Sequence, residues 1–268
     1  MDAAVFGCRQ LRSSSFRDSR AEFRIRAGDP ATTAHCGTAL HGRIIGGTEA
    51  SIEDYPWQVA LKYGGYYQSG ASIIGTGWAL TAAHCVSYYR AQYQSLYSVR
   101  AGSSDRSSGG VVLDVAEVHE HEKHDSISGD SDIAVLRIDG SLPLGTNVAI
   151  VNLPEAGYDP PAGLAVTATG WGDTEDAYLP SILKKVDIAI RDRSECNFPN
   201  TGREVTPRMI RAGETGKSVC HGDSGGPLVS GTTQMGIVSW SSGYCLLGGA
   251  VYVNVGNLRS WITEVTAI

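Results

Sequence analysis

The segment KSVCHGDSGGPLV (217–229) places a serine in surroundings that suit nucleophilic chemistry. Ser224 follows Asp223 directly and precedes two glycines. A serine hydroxyl is a weak nucleophile at neutral pH, so it needs a base, a group that orients the base, and donors for an oxyanion. Small neighbours allow backbone N–H groups to approach a reacting carbonyl. The segment therefore predicts a nucleophile if the rest of the chain supplies its partners.

The candidate partners lie upstream of Ser224. The pattern G-x-S-x-G also marks the nucleophile elbow of α/β-hydrolases, in which an acid and then a histidine follow the serine. The last histidine of this chain is His221, so that order is excluded. His84 ends an apolar segment, LTAAHC (80–85), and Asp132 precedes another, IAVLRI. A carboxylate beside a buried strand is costly without a partner, which makes His84 and Asp132 the candidate base and orienting acid.

Short strands are expected to position these residues. In PWQVALKY, Trp57, Val59 and Leu61 alternate with polar or small residues, the period-two pattern of a half-buried strand. Turn residues separate similar segments: WALTAA, SVRAG, VVLDVAEV, DIAVLRI, LAVTATGWG, VDIAI, GPLVS, QMGIVSW and AVYVNV. Helical spacing occurs in the tail, at Leu258, Trp261, Ile262 and Val265. With a linker at LPEAGYDPPAG (153–163), the sequence predicts an all-β fold of two halves and a C-terminal helix.

Charge and composition narrow the class of partner. The net charge of −6 excludes the basic footprint of a nucleic-acid-binding protein. Residues 1–43 carry seven Arg against four acidic residues, so the remainder carries −9. No apolar run reaches the roughly 18 residues that span a bilayer, and no secretory hydrophobic region is visible at the start. We expect neither a nucleic-acid nor a membrane partner, and a monomer. Residues 1–43 fit a disordered polar pro-segment, or a wrongly predicted start that has lost a signal peptide, better than a mitochondrial transit peptide, because acids interrupt them.

Seven motifs in order resemble the chymotrypsin–trypsin-like serine peptidases: RIIGG, LTAAHC, DSDIAVL, TGWG, GDSGGP, GIVSW and VYVNV. The resemblance covers residues 44–268. It implies two packed six-stranded antiparallel Greek-key β-barrels, about 44–155 and 156–268, with the active site in the cleft between them. It also implies a secreted serine endopeptidase that needs no metal or cofactor, cleaves proteins or peptides, and is controlled by protein inhibitors.

The resemblance also implies a role for each catalytic residue. His84 is the general base and then the general acid, Asp132 fixes its tautomer, and Ser224 attacks the substrate. The backbone N–H groups of Gly222 and Ser224 form the oxyanion hole. The main alternative is a catalytically inactive homologue that acts as a binding or regulatory protein, but none of the three catalytic residues is lost.

Activation by proteolysis is a further implication of the resemblance. Arg43 precedes IIGG, the position at which a trypsin-like protease would cut and remove residues 1–43. The new amino group of Ile44 would then pair with Asp223. A buried carboxylate without a nearby basic residue needs such a cation, so the sequence predicts a zymogen.

The specificity pocket implied by the resemblance has Ser218 at its floor, where an aspartate selects Lys or Arg. A cation buried there without a partner would be costly. The remaining pocket positions are small or apolar: Val219, Ser239, Trp240, Ser241 and Ala250. We therefore expect cleavage after Leu, Met, Phe or Tyr, although an elastase-like preference for smaller residues stays open.

The cysteines depart from the pattern of the family. Cys220 and Cys245 match one family bridge, but Ser69 occupies the position expected to pair with Cys85 and Arg211 the position expected to pair with Cys196. Whether Cys8 or Cys36 pairs with either remains open.

The histidine-rich segment HEHEKH (119–124) is the one feature in favour of a metal site. Its histidines have no clear ligand spacing, so we interpret it as an exposed, solvated loop and expect no metal.

Overall fold

The computed structural model describes residues 44–87, 93–174, 177–194, 203–241, 245 and 249–268. The predicted pro-segment 1–43, with Arg43, Cys8 and Cys36, lies outside the described residues, and so does Cys196.

Six antiparallel strands close the first barrel in the order β2-β3-β4-β7-β6-β5. The strands are β2 (Gln58–Tyr63), β3 (Tyr66–Gly75), β4 (Trp78–Thr81), β5 (Tyr97–Ala101), β6 (Val111–Glu120) and β7 (Ala134–Ile138). Two short 3₁₀ turns, Ala83–Cys85 and Gln94–Leu96, follow β4 and precede β5. Closure leaves no unpaired edge in this sheet.

The second barrel joins its strands in the order β9-β10-β13-β12-β11-β8, and pairing between β8 and β9 closes the ring. The strands are β8 (Ala165–Gly170), β9 (Lys184–Arg191), β10 (Met209–Ala212), β11 (Pro227–Ser230), β12 (Thr233–Ser241) and β13 (Ala250–Asn254). The two-residue strand β1 (Thr48–Glu49) pairs with β9. The predicted fold of two six-stranded barrels is confirmed.

Strand β2 is buried on both faces, where the alternating pattern predicted one. Val59 and Leu61 fill the first barrel, as expected, but Gln58 and Ala60 are also fully buried. Ala60 packs in a second apolar cluster with Trp171, and the side-chain amide of Gln58 accepts a 2.5 Å hydrogen bond from Thr169 Oγ1 of β8. The prediction of a half-buried strand was wrong because the outer face of β2 packs against the second barrel.

Buried polar contacts also join the barrels elsewhere. Ser72 of β3 donates to Gln234 Oε1 of β12 at 2.6 Å, and both side chains are fully buried. Gly70 N, also of β3, donates to the carbonyl of Ser224 at 2.8 Å. Buried polar groups are costly unless hydrogen-bonded, so these bonds fix how the loop that carries Ser224 meets the first barrel.

The predicted C-terminal helix is present as α1 (Arg259–Thr266). Ile262 is fully buried and belongs to the core of the first barrel, together with Leu258 just before the helix. No helix among the described residues has the length and apolarity needed to cross a membrane.

Candidate active site

His84 and Asp132 meet because strands β4 and β7 are paired. Thr81 lies opposite Ala134 in the register of these antiparallel strands, so the turn after β4 and the loop before β7 lie at the same end of the barrel. His84 Nδ1 lies 2.7 Å from Asp132 Oδ2, and the backbone N–H of His84 donates to Asp132 Oδ1 at 2.8 Å. Two bonds to one carboxylate fix the orientation of the imidazole.

Asp132 is a buried carboxylate, and its hydrogen bonds keep it ionised. Ser239 of β12, predicted only as a pocket residue, donates to Asp132 Oδ2 at 2.5 Å. Burial disfavours the charged carboxylate, but the hydrogen bonds from His84 and Ser239 outweigh it and hold the pKa of Asp132 below its ordinary value. An ionised Asp132 accepts the Nδ1 proton of His84, which leaves Nε2 as the base.

The Nε2 atom of His84 faces a free thiol. Cys85 Sγ lies 3.6 Å from Nε2, and Cys85 forms no disulfide. Burial disfavours the charged imidazolium, but Cys85 and Asp132 outweigh it, so the pKa of His84 lies well above its usual value of 6.5. Ser69, at the position expected to pair with Cys85, is buried and directs its hydroxyl to the carbonyl of Gly70 at 3.4 Å.

Ser224 lies in the loop before β11, against the first barrel. A Cβ atom on the next residue, Gly225, would come 3.2 Å from Cys85 Sγ and 2.2 Å from Thr81 Oγ1. The loop is therefore packed beside the residue that follows His84. Within the described part of the chain, the hydroxyl of Ser224 makes no hydrogen bond, to His84 or to any other residue.

The N–H groups of Gly222 and Ser224 have no acceptor among the described residues. The intervening N–H of Asp223 donates to Cys220 O, and that of Gly225 to Val238 O. Unpaired N–H groups on alternate residues are suited to an anionic oxygen. They belong to the two residues predicted to form the oxyanion hole.

Tyr67 of β3 holds the peptide that follows Gly222. Its hydroxyl donates to the carbonyl of Gly222 at 2.8 Å, and burial raises the pKa of Tyr67 well above its usual value, so the phenol remains a donor. Gly222 has a φ of +94°, and a Cβ there would come 2.4 Å from Leu179 Cδ2. The position therefore requires glycine. Sequence analysis missed Tyr67, since nothing in its neighbourhood marks it as a partner of Gly222.

Asp223 is buried, and its two oxygens accept hydrogen bonds from Gly172 N at 2.8 Å and from Cys220 N at 2.9 Å. Burial raises the pKa of this carboxyl to about 7 despite these bonds. No basic side chain of the described residues forms an ion pair with it. Ile44 is also fully buried, in the same apolar cluster as Val219.

A cavity of about 210 Å³ opens beside Ser224. Ser241 and Ala250, the predicted walls, lie directly opposite each other on β12 and β13. The lining residues are Val219, Cys220, His221, Ser224, Val238, Ser239, Trp240, Ser241 and Ala250. Ser218, the predicted floor, is fully buried and does not line this cavity; its hydroxyl has no hydrogen-bond partner among the described residues.

The expected disulfide between Cys220 and Cys245 is formed, with Cα atoms 5.2 Å apart. His221 lies near both sulfur atoms, and in the described part of the chain this is the one group of three side chains close enough to hold a metal. Both sulfurs are already bonded to each other and cannot act as thiolate ligands. Arg211, at the position expected to pair with Cys196, is buried in β10 and donates to Asp192 O at 3.3 Å.

The prediction that HEHEKH is an exposed, solvated loop was wrong in part: Glu122 and Lys123 are exposed, but the segment as a whole is not. Its first two residues end strand β6, and His121 and His124 are buried. His121 packs against Trp261 with ring centroids 5.0 Å apart, whereas His124 lies between Glu120 and Asp132. The charged residues of the segment predicted exposure to solvent. Instead, the segment packs against α1 through His121 and lies beside the candidate active site through His124.

Comparison with known proteins gives a consistent result. Residues 44–262 match the family model described as Trypsin. The chain is 38% identical over 233 residues to trypsin alpha-4 of Lucilia cuprina, covering 85% of this chain and 89% of the relative. It is 38% identical over 231 residues to trypsin alpha of Drosophila melanogaster, covering 84% and 88%. Hypodermin-B of Hypoderma lineatum is 40% identical over 231 residues, with the same coverage.

Proposed function

The chain belongs to the trypsin family of serine peptidases, and from this membership and the geometry above we propose that Ser224, His84 and Asp132 hydrolyse peptide bonds. The observation that carries the proposal is the 2.7 Å contact between His84 Nδ1 and Asp132 Oδ2. It selects the tautomer whose Nε2 is unprotonated. Nε2 removes the Ser224 proton as Oγ bonds to the carbonyl carbon, and the π electrons of the carbonyl move to its oxygen.

The remaining steps follow from the same groups. When the intermediate collapses, the C–N bond breaks and His84 Nε2–H protonates the departing amine. Water then attacks the acyl-enzyme, again with His84 as the base. The N–H groups of Gly222 and Ser224 stabilise the oxyanion in both halves of the reaction, and each such donor is typically worth about 10²–10³ in kcat.

The proposed substrates are proteins or peptides with an apolar or aromatic residue before the scissile bond. Ser218, Ser241 and Ala250 carry no charge, and no carboxylate among the described residues lines the cavity of about 210 Å³. The relatives named trypsins do not by themselves assign this chain a preference for Lys or Arg, because a cation in this pocket would need a carboxylate.

We further propose that the protein is made as a secreted zymogen and is cut after Arg43 by a trypsin-like protease. The new ammonium group of Ile44 would supply the cation that Asp223 lacks. Two observations support this: Ile44 is already buried in the core of the second barrel, and the buried Asp223 has no basic partner among the described residues. Protein protease inhibitors are expected to bind the cleaved form.

Fluorophosphonate labelling of the protein cleaved after Arg43 tests the catalytic assignment. We expect one label, on Ser224, and none on a Ser224→Ala variant. Ser230→Ala, on strand β11, is the matched control and should label normally. Ser224→Ala and His84→Ala should each lower kcat by about 10⁶-fold, and the double variant little further, because the residues act as a unit. Labelling of folded, cleaved Ser224→Ala at the wild-type rate would contradict the assignment.

A further inference from the structure

A second buried histidine lies behind the carboxylate of Asp132. His124 Nε2 is 3.5 Å from Asp132 Oδ1, the oxygen that also accepts the backbone N–H of His84. On the other side of the ring, Nδ1 is 3.0 Å from Glu120 Oε1. The side chains of His124 and Glu120 are only 5% and 7% exposed. Four titratable side chains thus form a row, in which His84 alone is exposed to solvent: Glu120, His124, Asp132 and His84.

The hydrogen bonds around Nδ1 decide which atoms of His124 carry protons. Ser87 Oγ lies 3.4 Å from Nδ1, but its one proton goes to the carbonyl of Ala83 at 2.7 Å, so Ser87 can only accept from the ring. Glu120 and Nδ1 share a further proton across 3.0 Å. With Nδ1 satisfied in this way, the buried Nε2 has no hydrogen-bond partner among the described residues, and it faces the carboxylate of Asp132.

A proton on His124 Nε2 avoids electrostatic repulsion between this nitrogen and the carboxylate of Asp132. An unprotonated Nε2 would direct its lone pair at a carboxylate oxygen, and the repulsion would be strong in a buried site. With Nε2 protonated, the pair of Glu120 and His124 is neutral as a whole, whichever of the two holds the shared proton. Its positive end then faces Asp132. At 3.5 Å this is an electrostatic contact longer than an ordinary hydrogen bond.

We propose that His124, held by Glu120, is a positioning residue of the catalytic site: its Nε2–H stabilises the ionised Asp132 and thereby tunes His84. The inference rests on the proposed function of the triad. Asp132 then interacts with His84 on one side and with the N–H of His124 on the other. It therefore stabilises the imidazolium of His84 less than it would without the His124 donor. Asp125 of the same loop also interacts with His124, but it is exposed and is therefore screened by solvent.

The test compares the pH profile of kcat/KM for cleaved wild type with that of the double variant His124→Leu/Glu120→Gln. The second change removes a buried carboxylate that would otherwise lose its contact with His124. Loss of the donor should raise the pKa of His84, and with it the acidic limb of the profile, by about half a pH unit. Below the limb, kcat/KM should then fall about threefold, while the plateau and KM stay unchanged. His124→Gln, which keeps an N–H donor near the Nε2 position, should return the acidic limb most of the way to its wild-type position.

His121→Leu is the matched control. His121 is a buried histidine of the same segment, but it faces Trp261 and not Asp132. It should lower stability without moving the acidic limb. An equal shift in His121→Leu, or no shift in a folded double variant, would overturn the inference.

An NMR titration of the His84 ring in the Ser224→Ala background measures the effect of His124 on the pKa of His84 without requiring catalysis. It should show the same upward shift of the His84 pKa in the double variant. If wild type has no activity but the titration shifts, the proposed function fails and the coupling stands. If wild type is active and neither the profile nor the titration shifts, the coupling fails alone.

Discussion

Asp223 offers a direct way to test the proposed activation, because the uncleaved chain buries this carboxyl without a cation among the described residues. Burial raises its pKa from 3.8 to about 7. Between these two pH values the folded state holds a proton that the unfolded state releases. Stability contributed by this group is therefore greatest at low pH and is lost as the pH rises from about 4 to about 7.

The size of the effect follows from the pKa difference of about 3 units. At about 1.4 kcal/mol per unit, the penalty at pH 8 is about 4 kcal/mol, and at pH 5 it is still only about 1.7 kcal/mol. Asp223→Asn removes the titration but also replaces one acceptor oxygen by an amide, which loses a bond from Gly172 or Cys220. The pH dependence is thus a cleaner measure than absolute stability. The uncleaved wild type should lose about 2.5 kcal/mol between pH 5 and pH 8 that Asp223→Asn keeps.

Thermal unfolding of the uncleaved chains at both pH values measures this difference. For a domain of this size, about 2.5 kcal/mol corresponds to roughly 5–10 °C in Tm. Asp114→Asn, at an exposed acid of β6, controls for the general loss of a negative charge and should behave like wild type. Cleavage after Arg43 should remove the wild-type penalty, because the Ile44 ammonium pairs with Asp223, and should leave cleaved Asp223→Asn almost inactive.

Two results would refute this reasoning. The first is a wild-type Tm that changes with pH in parallel with that of Asp223→Asn. The second is full activity of cleaved Asp223→Asn, because breaking a buried ion pair costs roughly 3–5 kcal/mol.

Two further predictions concern the pocket and the thiol beside His84. A library of fluorogenic peptides should show cleavage after Leu, Met, Phe and Tyr, with steric differences of about 10- to 200-fold in kcat/KM; preferred cleavage after Arg or Lys would contradict the proposal that the pocket offers no carboxylate to a substrate cation. Cys85→Ala should lower the acidic limb of the pH profile, because Cys85 raises the pKa of His84, and Cys85→Ser is the polar control. An acidic limb that stays in place in a folded Cys85→Ala protein would show that the sulfur does not influence the base.

Ten of the twelve barrel strands were predictable from short apolar or alternating segments. The two that were not, β3 and β10, owe their structure to their neighbours. Strand β3 reads YYQSGASIIG, without clear alternation, but it pairs with β2 on one side and β4 on the other. Strand β10 contains Arg211, and an arginine in a short apolar segment predicts an exposed position. The buried position of Arg211 depends on tertiary contacts that a local pattern does not contain.

The candidate site was predictable where one residue defines a role, and not where a role depends on a contact across the fold. Ser224, His84 and Asp132 are marked by the motifs around them. Ser239 was expected to line the pocket, yet its hydroxyl also bonds to Asp132, 107 positions away in the chain. Likewise Tyr67 reaches Gly222 across 155 positions. Such separations leave no trace in local sequence patterns, although the spacing of Glu120 and His124 is visible once the segment is known to be buried.

His84 is therefore placed between two groups that act on it in opposite directions. Cys85 lies beside Nε2 and raises the pKa of the imidazole, whereas the proposed Nε2–H of His124 draws on Asp132 and lowers it. A general base works best with a pKa near the working pH, so a shift in either direction alone would move His84 away from it. The free thiol exists because Ser69 stands where a bridging cysteine was expected. If the proposal holds, the pair of His124 and Glu120 offsets part of the effect of that exchange on His84, which gives a buried titratable pair beside Asp132 a chemical reason to be there.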